Sequence, residues 1–123
     1  MVPGAPIPVA PFSHAVEKDD WIFVTGQLPI DPAHPTALLP PDVVEQTHIT
    51  FSNLIIVLSA LGLGLEQVVC ARCFLTHFDH DYAKFNATYA AYFPPNRYPA
   101  RTCIGVTALA RGARVEIDFI ARR

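Results

Sequence analysis

The chain has 123 residues, of which 51% are hydrophobic and 16% charged, and a formal net charge of -2 at pH 7. That length suits one domain over residues 1–123 built on a single core. The slightly acidic balance, with no Lys/Arg cluster beyond Arg122 and Arg123, excludes the electrostatic footprint of a nucleic-acid or anionic-membrane binder. Three cysteines, with no secretory leader pattern, point to reduced thiols and a cytoplasmic protein rather than a disulfide scaffold. The longest apolar run, residues 54–65, is too short to span a bilayer. So hydrophobic a chain exceeds what a domain this small can hide, so part of its apolar surface is expected to meet another chain.

In chain order, the proline-rich residues 1–9 predict an irregular segment, with order starting near Ala10. The stretch "FSHAVEKDDWIFVTGQLP" reads as a hairpin. Phe12 and Val16 precede a polar "EKDD" turn, and a β-prone strand follows and ends at Gly26. Residues 28–41 hold five prolines and read as a loop, with at most a short edge strand. Asp42, three residues before Glu45, resembles a capping box opening a helix that runs to Gly62. Its apolar stripe is Thr47, Phe51, Leu54, Ile55, Leu58 and Leu61, with Ile49, Ile56 and Val57 off it.

"EQVVCARCFLTHF" reads as a strand buried on both faces. Asp79 is placed to cap a second helix, whose Tyr82, Phe85, Tyr89 and Tyr92 or Phe93 recur at helical spacing until Pro94-Pro95 stops it. That stripe reads as core packing, since a stacking platform for nucleic acid would come with basic neighbours. Residues 102–109 and 113–121 read as two final strands joined in a hairpin around Arg111-Gly112. The order β-β-α-β-α-β-β describes an α+β fold, a mixed sheet with two helices on one face.

Chemistry has few candidate bearers. Cys70 and Cys73 form a CxxC pair, but residues three apart on a strand point to opposite faces, so no shared metal or disulfide is expected. "THFDHD" gathers His77, Asp79, His80 and Asp81 at a helix start, where acids serve as cap and dipole partners. There is no GxSxG elbow and no phosphate-binding glycine loop. Arg101 stands out at the head of the apolar run "TCIGV", with small Cys103 and Gly105 on its face. Burying an unpaired guanidinium is costly, so it should meet either a protein carboxylate or an anionic ligand. Across the expected hairpin lies Glu116, bracketed by Val115 and Ile117. A structural Arg101–Glu116 ion pair and a proton-handling carboxyl of raised pKa are both open.

The segments "PFSHAV", "VTGQLP", "NATYAAYF", "YPARTCIGV" and "ARVEIDFIA", in that order and spacing, resemble the RidA (YjgF) family from Pro11 to Ala121. The resemblance implies a chorismate-mutase-like fold and a homotrimer with ligand clefts between subunits. The implied activity is hydrolysis of reactive enamines and imines, such as 2-aminoacrylate, to 2-oxo acids and ammonia without metal or cofactor.

It implies that Arg101 binds the substrate carboxylate, Glu116 positions water, and Cys103 lines the pocket. Thr25 and Gly26 then form the small-residue turn against the ligand, and Asn86 stands on a helix near the cleft. Many active members have Tyr where this chain has Phe12, so slower or redirected deamination is expected. His14 replaces a frequent glutamine and reads as a solvent-facing strand histidine, with proton supply as the other reading. The runner-up function is a non-catalytic trimer binding small carboxylates or a partner protein. RNA cleavage is disfavoured by the absent basic patch.

Overall fold

The computed structural model describes residues 1–8 and 10–123. Five strands and two helices form it: β1 (Ala15–Lys18), β2 (Trp21–Gln27), α1 (Val43–Ala60), β3 (Val68–Leu75), α2 (Phe78–Ala90), β4 (Ala100–Gly105) and β5 (Val115–Arg122). Residues 1–8 contain no helix or strand, and Val9, the last residue of the expected irregular segment, lies outside the described residues. The order β-β-α-β-α-β-β and the α+β class stand as read from the sequence.

The hairpin β1–β2 closes through Asp19 and Asp20, both at positive φ (51° and 68°). Two left-handed residues in succession are what a two-residue turn needs to match strand twist, and aspartate tolerates them better than most. The sheet runs β1-β2-β5-β3-β4, with β3 and β4 parallel and every other pair antiparallel.

This corrects the expected terminal hairpin: β3 lies between β4 and β5, which do not pair. The crossover through α2 places β4 parallel to β3. Residues 106–114 then carry the chain past β3 to β5, so their length is a crossing and not a turn.

Both helices pack on one face. There Ile22, Val24, Ala71, Cys73, Leu75, Val115, Ile117, Phe119 and Ala121 meet Phe51, Leu54, Val57, Leu58, Phe85 and Tyr89. In α1 the buried stripe is rotated from the expected one, since Val57 is buried and Ile55 is exposed. Buried polar groups cause the rotation. Asn53 donates to the carbonyls of Leu28 and Ile30 at 3.0 and 2.8 Å, and Gln46 bonds Pro40 O and Arg114 N at 2.6 and 2.8 Å. These bonds tie residues 28–41 to the helix. The segment forms no strand, yet Arg111 also holds it through the carbonyls of Pro35 and Ala37.

Neither expected aspartate cap is made. Asp42 is at the N-cap of α1 without a side-chain bond, and α2 starts at Phe78 with Asp79 inside its first turn. Asp81 is used instead in the interior, where the Arg114 guanidinium grips it at 2.8 and 3.0 Å.

The opposite sheet face has no helix over it. β3 is therefore buried on one face only, with Val69 exposed and Arg72 reaching out to Asp118 at 2.8 Å. Val16, Phe23 and Ile104 lie exposed on this side.

Candidate active site

Strand alternation and register sort the candidate residues. On β4, Arg101 and Cys103 are partnered with Ala71 and Cys73 of β3, both fully buried under the helices, so they point to the helix side. On β5, Glu116 lies between the core residues Val115 and Ile117 and is partnered with Phe74, so it points to the bare side. One chain therefore holds Arg101 and Glu116 on opposite faces, with β3 between their strands. Neither the expected structural ion pair nor a common site forms within a single chain.

On the helix side, Arg101 Nη2 donates to Asn86 Oδ1 at 2.9 Å and lies 3.5 Å from the Tyr82 hydroxyl. The guanidinium carbon is 4.9 Å from the Tyr89 ring centroid and 5.8 Å from that of Phe85. No carboxylate comes within ion-pair distance of Arg101 among the described residues. An amide oxygen and two π faces orient the fork while leaving its charge uncompensated, which suits a planar anion approaching from outside. That approach is open: Arg101, Asn86, Tyr89, Ala90, Tyr98 and Pro99 line a cavity of about 260 Å³.

Burial raises the pKa of the Tyr89 phenol, whose hydroxyl is enclosed without a partner. Burial also raises the pKa of the partly buried Cys103 thiol, although the Arg101 charge opposes the shift, and Cys103 is not among the residues that line the Arg101 cavity. Cys73, deeper beside it, is pushed up to about 12 by burial, while Cys70 lies on the other sheet face, as the CxxC spacing required.

On the bare side, β2 bulges against β5 between Val24 and Gln27, which places Gly26 beside Glu116. A side chain at 26 would overlap the Glu116 carboxylate, so only glycine admits this approach. Burial, and then the charge of Asp118, raise the Glu116 pKa above its ordinary 4.5. Thr25 spends its hydroxyl on the Ser13 carbonyl at 2.5 Å and its N–H on the His14 carbonyl, lacing β2 to the residues before β1. Phe12 lines a crevice with Gly26.

His14 is neither solvent-facing nor free: it is buried, with both ring nitrogens bonded to the N-terminal segment. The expected proline-rich loop reaches the same crevice through Leu28 and Ile30.

The candidates thus form two groups, Arg101, Asn86 and Cys103 on one side of the sheet and Glu116, Gly26 and Thr25 on the other, with Phe12 before β1 in the crevice that Gly26 also lines. The tyrosines around Arg101 were read as core packing only. Their signal was present, because Tyr82, Asn86 and Tyr89 are spaced four and three apart and so share one helix face.

The family model described as Endoribonuclease L-PSP matches residues 3–123. The chain is 42% identical over 119 residues to Protein DfrA of Myxococcus xanthus, spanning 95% of this chain and 88% of the relative. It is 32% identical over 122 residues to the 2-iminobutanoate/2-iminopropanoate deaminase of Escherichia coli, spanning 98% and 93%. Among solved structures, E. coli TdcF with bound serine superposes with a TM-score of 0.87 at 29% identity, covering 98% of this chain and 94% of that one. The E. coli YjgF gene product gives 0.87 at 31%, with the same coverage. The chain belongs to the RidA/YjgF family.

Proposed function

We propose that this protein hydrolyses 2-enamino and 2-imino acids to 2-oxo acids and ammonia, in clefts completed between the subunits of a homotrimer. The observation that carries this reading is the Arg101 guanidinium: charged, held in a fixed plane by Asn86 and the Tyr89 ring, facing a cavity, and without a carboxylate partner among the described residues. The named activity of the 32% identical E. coli relative supports the substrate class, and the serine bound to TdcF supports a small amino-acid-like ligand. The uncovered sheet face with exposed Val16, Phe23 and Ile104 supports assembly, because an apolar face of this kind calls for cover by another chain, and in this reading that chain's Arg101 group completes the site with Glu116.

In this reading Arg101 takes the substrate carboxylate bidentately and fixes the C=N carbon for attack. Water adds to that carbon as Glu116 accepts its proton, giving a carbinolamine. With the substrate nitrogen protonated as the iminium, the carbinolamine is neutral. Glu116 returns the proton to nitrogen, and the C–N pair leaves with ammonia as the hydroxyl oxygen forms the carbonyl. The hydroxyl proton passes to the regenerated Glu116 carboxylate and on to solvent, releasing the 2-oxo acid. Burial and the charge of Asp118 raise the Glu116 pKa, which makes its carboxylate a stronger proton acceptor than an ordinary glutamate. A second reading, a trimer that binds small carboxylates without turning them over, is favoured by Phe12, whose ring offers the cleft no hydroxyl.

The test is to generate 2-aminoacrylate and 2-iminobutyrate with a dehydratase, trap the imine with semicarbazide, and compare wild type, Arg101→Ala and Phe12→Tyr. Faster 2-oxo acid release by wild type, lost in Arg101→Ala, supports the deaminase. No acceleration by wild type with a gain in Phe12→Tyr supports the binding role. Light scattering tests the assembly, and a stable monomer would sink the inter-subunit cleft.

A further inference from the structure

His14 precedes β1 and is only 4% exposed. The Val2 N–H donates to its Nδ1 at 2.8 Å, and its Nε2 lies 2.7 Å from the Pro6 carbonyl oxygen. A carbonyl only accepts and an N–H only donates, so these partners require the neutral ring with its proton on Nε2. Among the described residues, these are the only hydrogen bonds joining residues 1–8 to the rest of the chain. Apolar packing adds to these bonds, since Ala5 is buried in the main core and Val2 packs against it. Pro3, Pro6 and Pro8 have no N–H to give, and Ile7 is 79% exposed. Between the two bonds the chain turns through Gly4 at φ 85°, with Ala5 N–H on Val2 O at 3.3 Å.

The held segment ends where the site begins. Pro6, Ile7 and Pro8 form one wall of the crevice that Phe12 and Gly26 line from the other side, and Gly26 touches the Glu116 carboxylate. With the wall in place the crevice holds about 20 Å³, room for a single water molecule. We propose that His14 is a positioning residue that limits the size of the substrate side chain by fixing residues 2–8 as a wall of the Gly26–Glu116 half of the cleft. This rests on the reading above, in which that half takes part in binding. The smallest side chains ask least of this wall, whereas a branched or aromatic one has to displace Ile7 and Pro8.

The experiment uses the assembled full-length protein and two substitutions. His14→Leu keeps most of the volume and removes both hydrogen bonds, whereas His14→Gln retains a donor for Pro6 and an acceptor for Val2. Calorimetry gives the Kd of 2-oxobutanoate and of phenylpyruvate, kinetics give kcat and KM for the corresponding imines, and hydrogen exchange reads the Val2 amide.

The expected result for His14→Leu is faster Val2 exchange and a preference for the smaller acid reduced about tenfold, the scale of discrimination by apolar pocket walls. The change should lie in Kd and KM more than in kcat, and His14→Gln should behave as wild type. An unchanged Kd ratio in folded His14→Leu with a freely exchanging Val2 amide overturns the proposal, as does His14→Gln behaving like His14→Leu. If His14→Leu does not fold, deletion of residues 2–8 removes the wall directly and has to produce the same loss of preference. Should wild type hydrolyse neither imine, the deaminase reading falls, while the Kd ratio still decides whether His14 holds a size-selecting wall.

Discussion

The Glu116 carboxylate fills the space that a side chain at Gly26 would occupy: a Cβ there would overlap its Oε2 and lie 2.9 Å from its Cδ. The group that has to yield is the tip of an unbranched side chain and not backbone, so Gly26→Ala should fold with stability within about 1 kcal/mol of wild type. The displaced carboxylate should lower deaminase kcat/KM by about tenfold or more, because small misplacements of a reacting group are costly. Urea unfolding and steady-state kinetics on the same preparation check both halves, and an unchanged rate would detach Glu116 from the reaction.

Glu116 also makes a prediction about pH. Burial, reinforced by the charge of Asp118, raises its folded pKa above the ordinary 4.5. Between that value and the raised one the folded chain binds more protons than the unfolded chain, so this group's contribution to stability falls as pH rises through that window. Above the window its charge is a net cost. Glu116→Gln should therefore be more stable than wild type at pH 7, and the difference should close toward pH 4. Denaturant titrations from pH 4 to 8 at constant protomer concentration measure it, since assembly itself contributes to apparent stability.

Asp81 behaves in the opposite sense. Burial works against its charge, but hydrogen bonds and charge from Arg114 and His80 outweigh burial and hold its pKa below the ordinary 3.8. Its contribution is fully present above 3.8 and is lost as pH falls through the lower folded value. Asp81→Asn should cost about 3 kcal/mol at pH 7, because it leaves the Arg114 guanidinium without its carboxylate. A loss below 0.5 kcal/mol in urea unfolding would show that the pair is screened like a surface bridge.

Much of this was legible along the chain. The period of 3.6 in residues 43–60 and 78–90 and the β-branched runs of β2, β3 and β5 are local signals, as are the prolines that end α2. Arg101 was legible as a candidate because an unpaired guanidinium before "TCIGV" makes no sense as core. The orientation of α1 was not legible, since Gln46 and Asn53 are buried only because carbonyls from residues 28–41 and the Arg114 N–H come to meet them. His14 was misread for the same reason. A histidine beside a strand looks solvent-facing until residues 2 and 6 fold back onto it.

By itself, the sequence determined the elements, their order and which residues are candidates for chemistry, because hydrophobic period, proline and charge act over a few positions. Tertiary structure alone decided how those residues are shared between the faces of the sheet. Inserting β3 between β4 and β5 separated Arg101 from Glu116, and the β2 bulge brought Gly26 against that carboxylate. Strand order and register are long-range choices, set by which apolar faces find cover and by the crossover that places β4 parallel to β3.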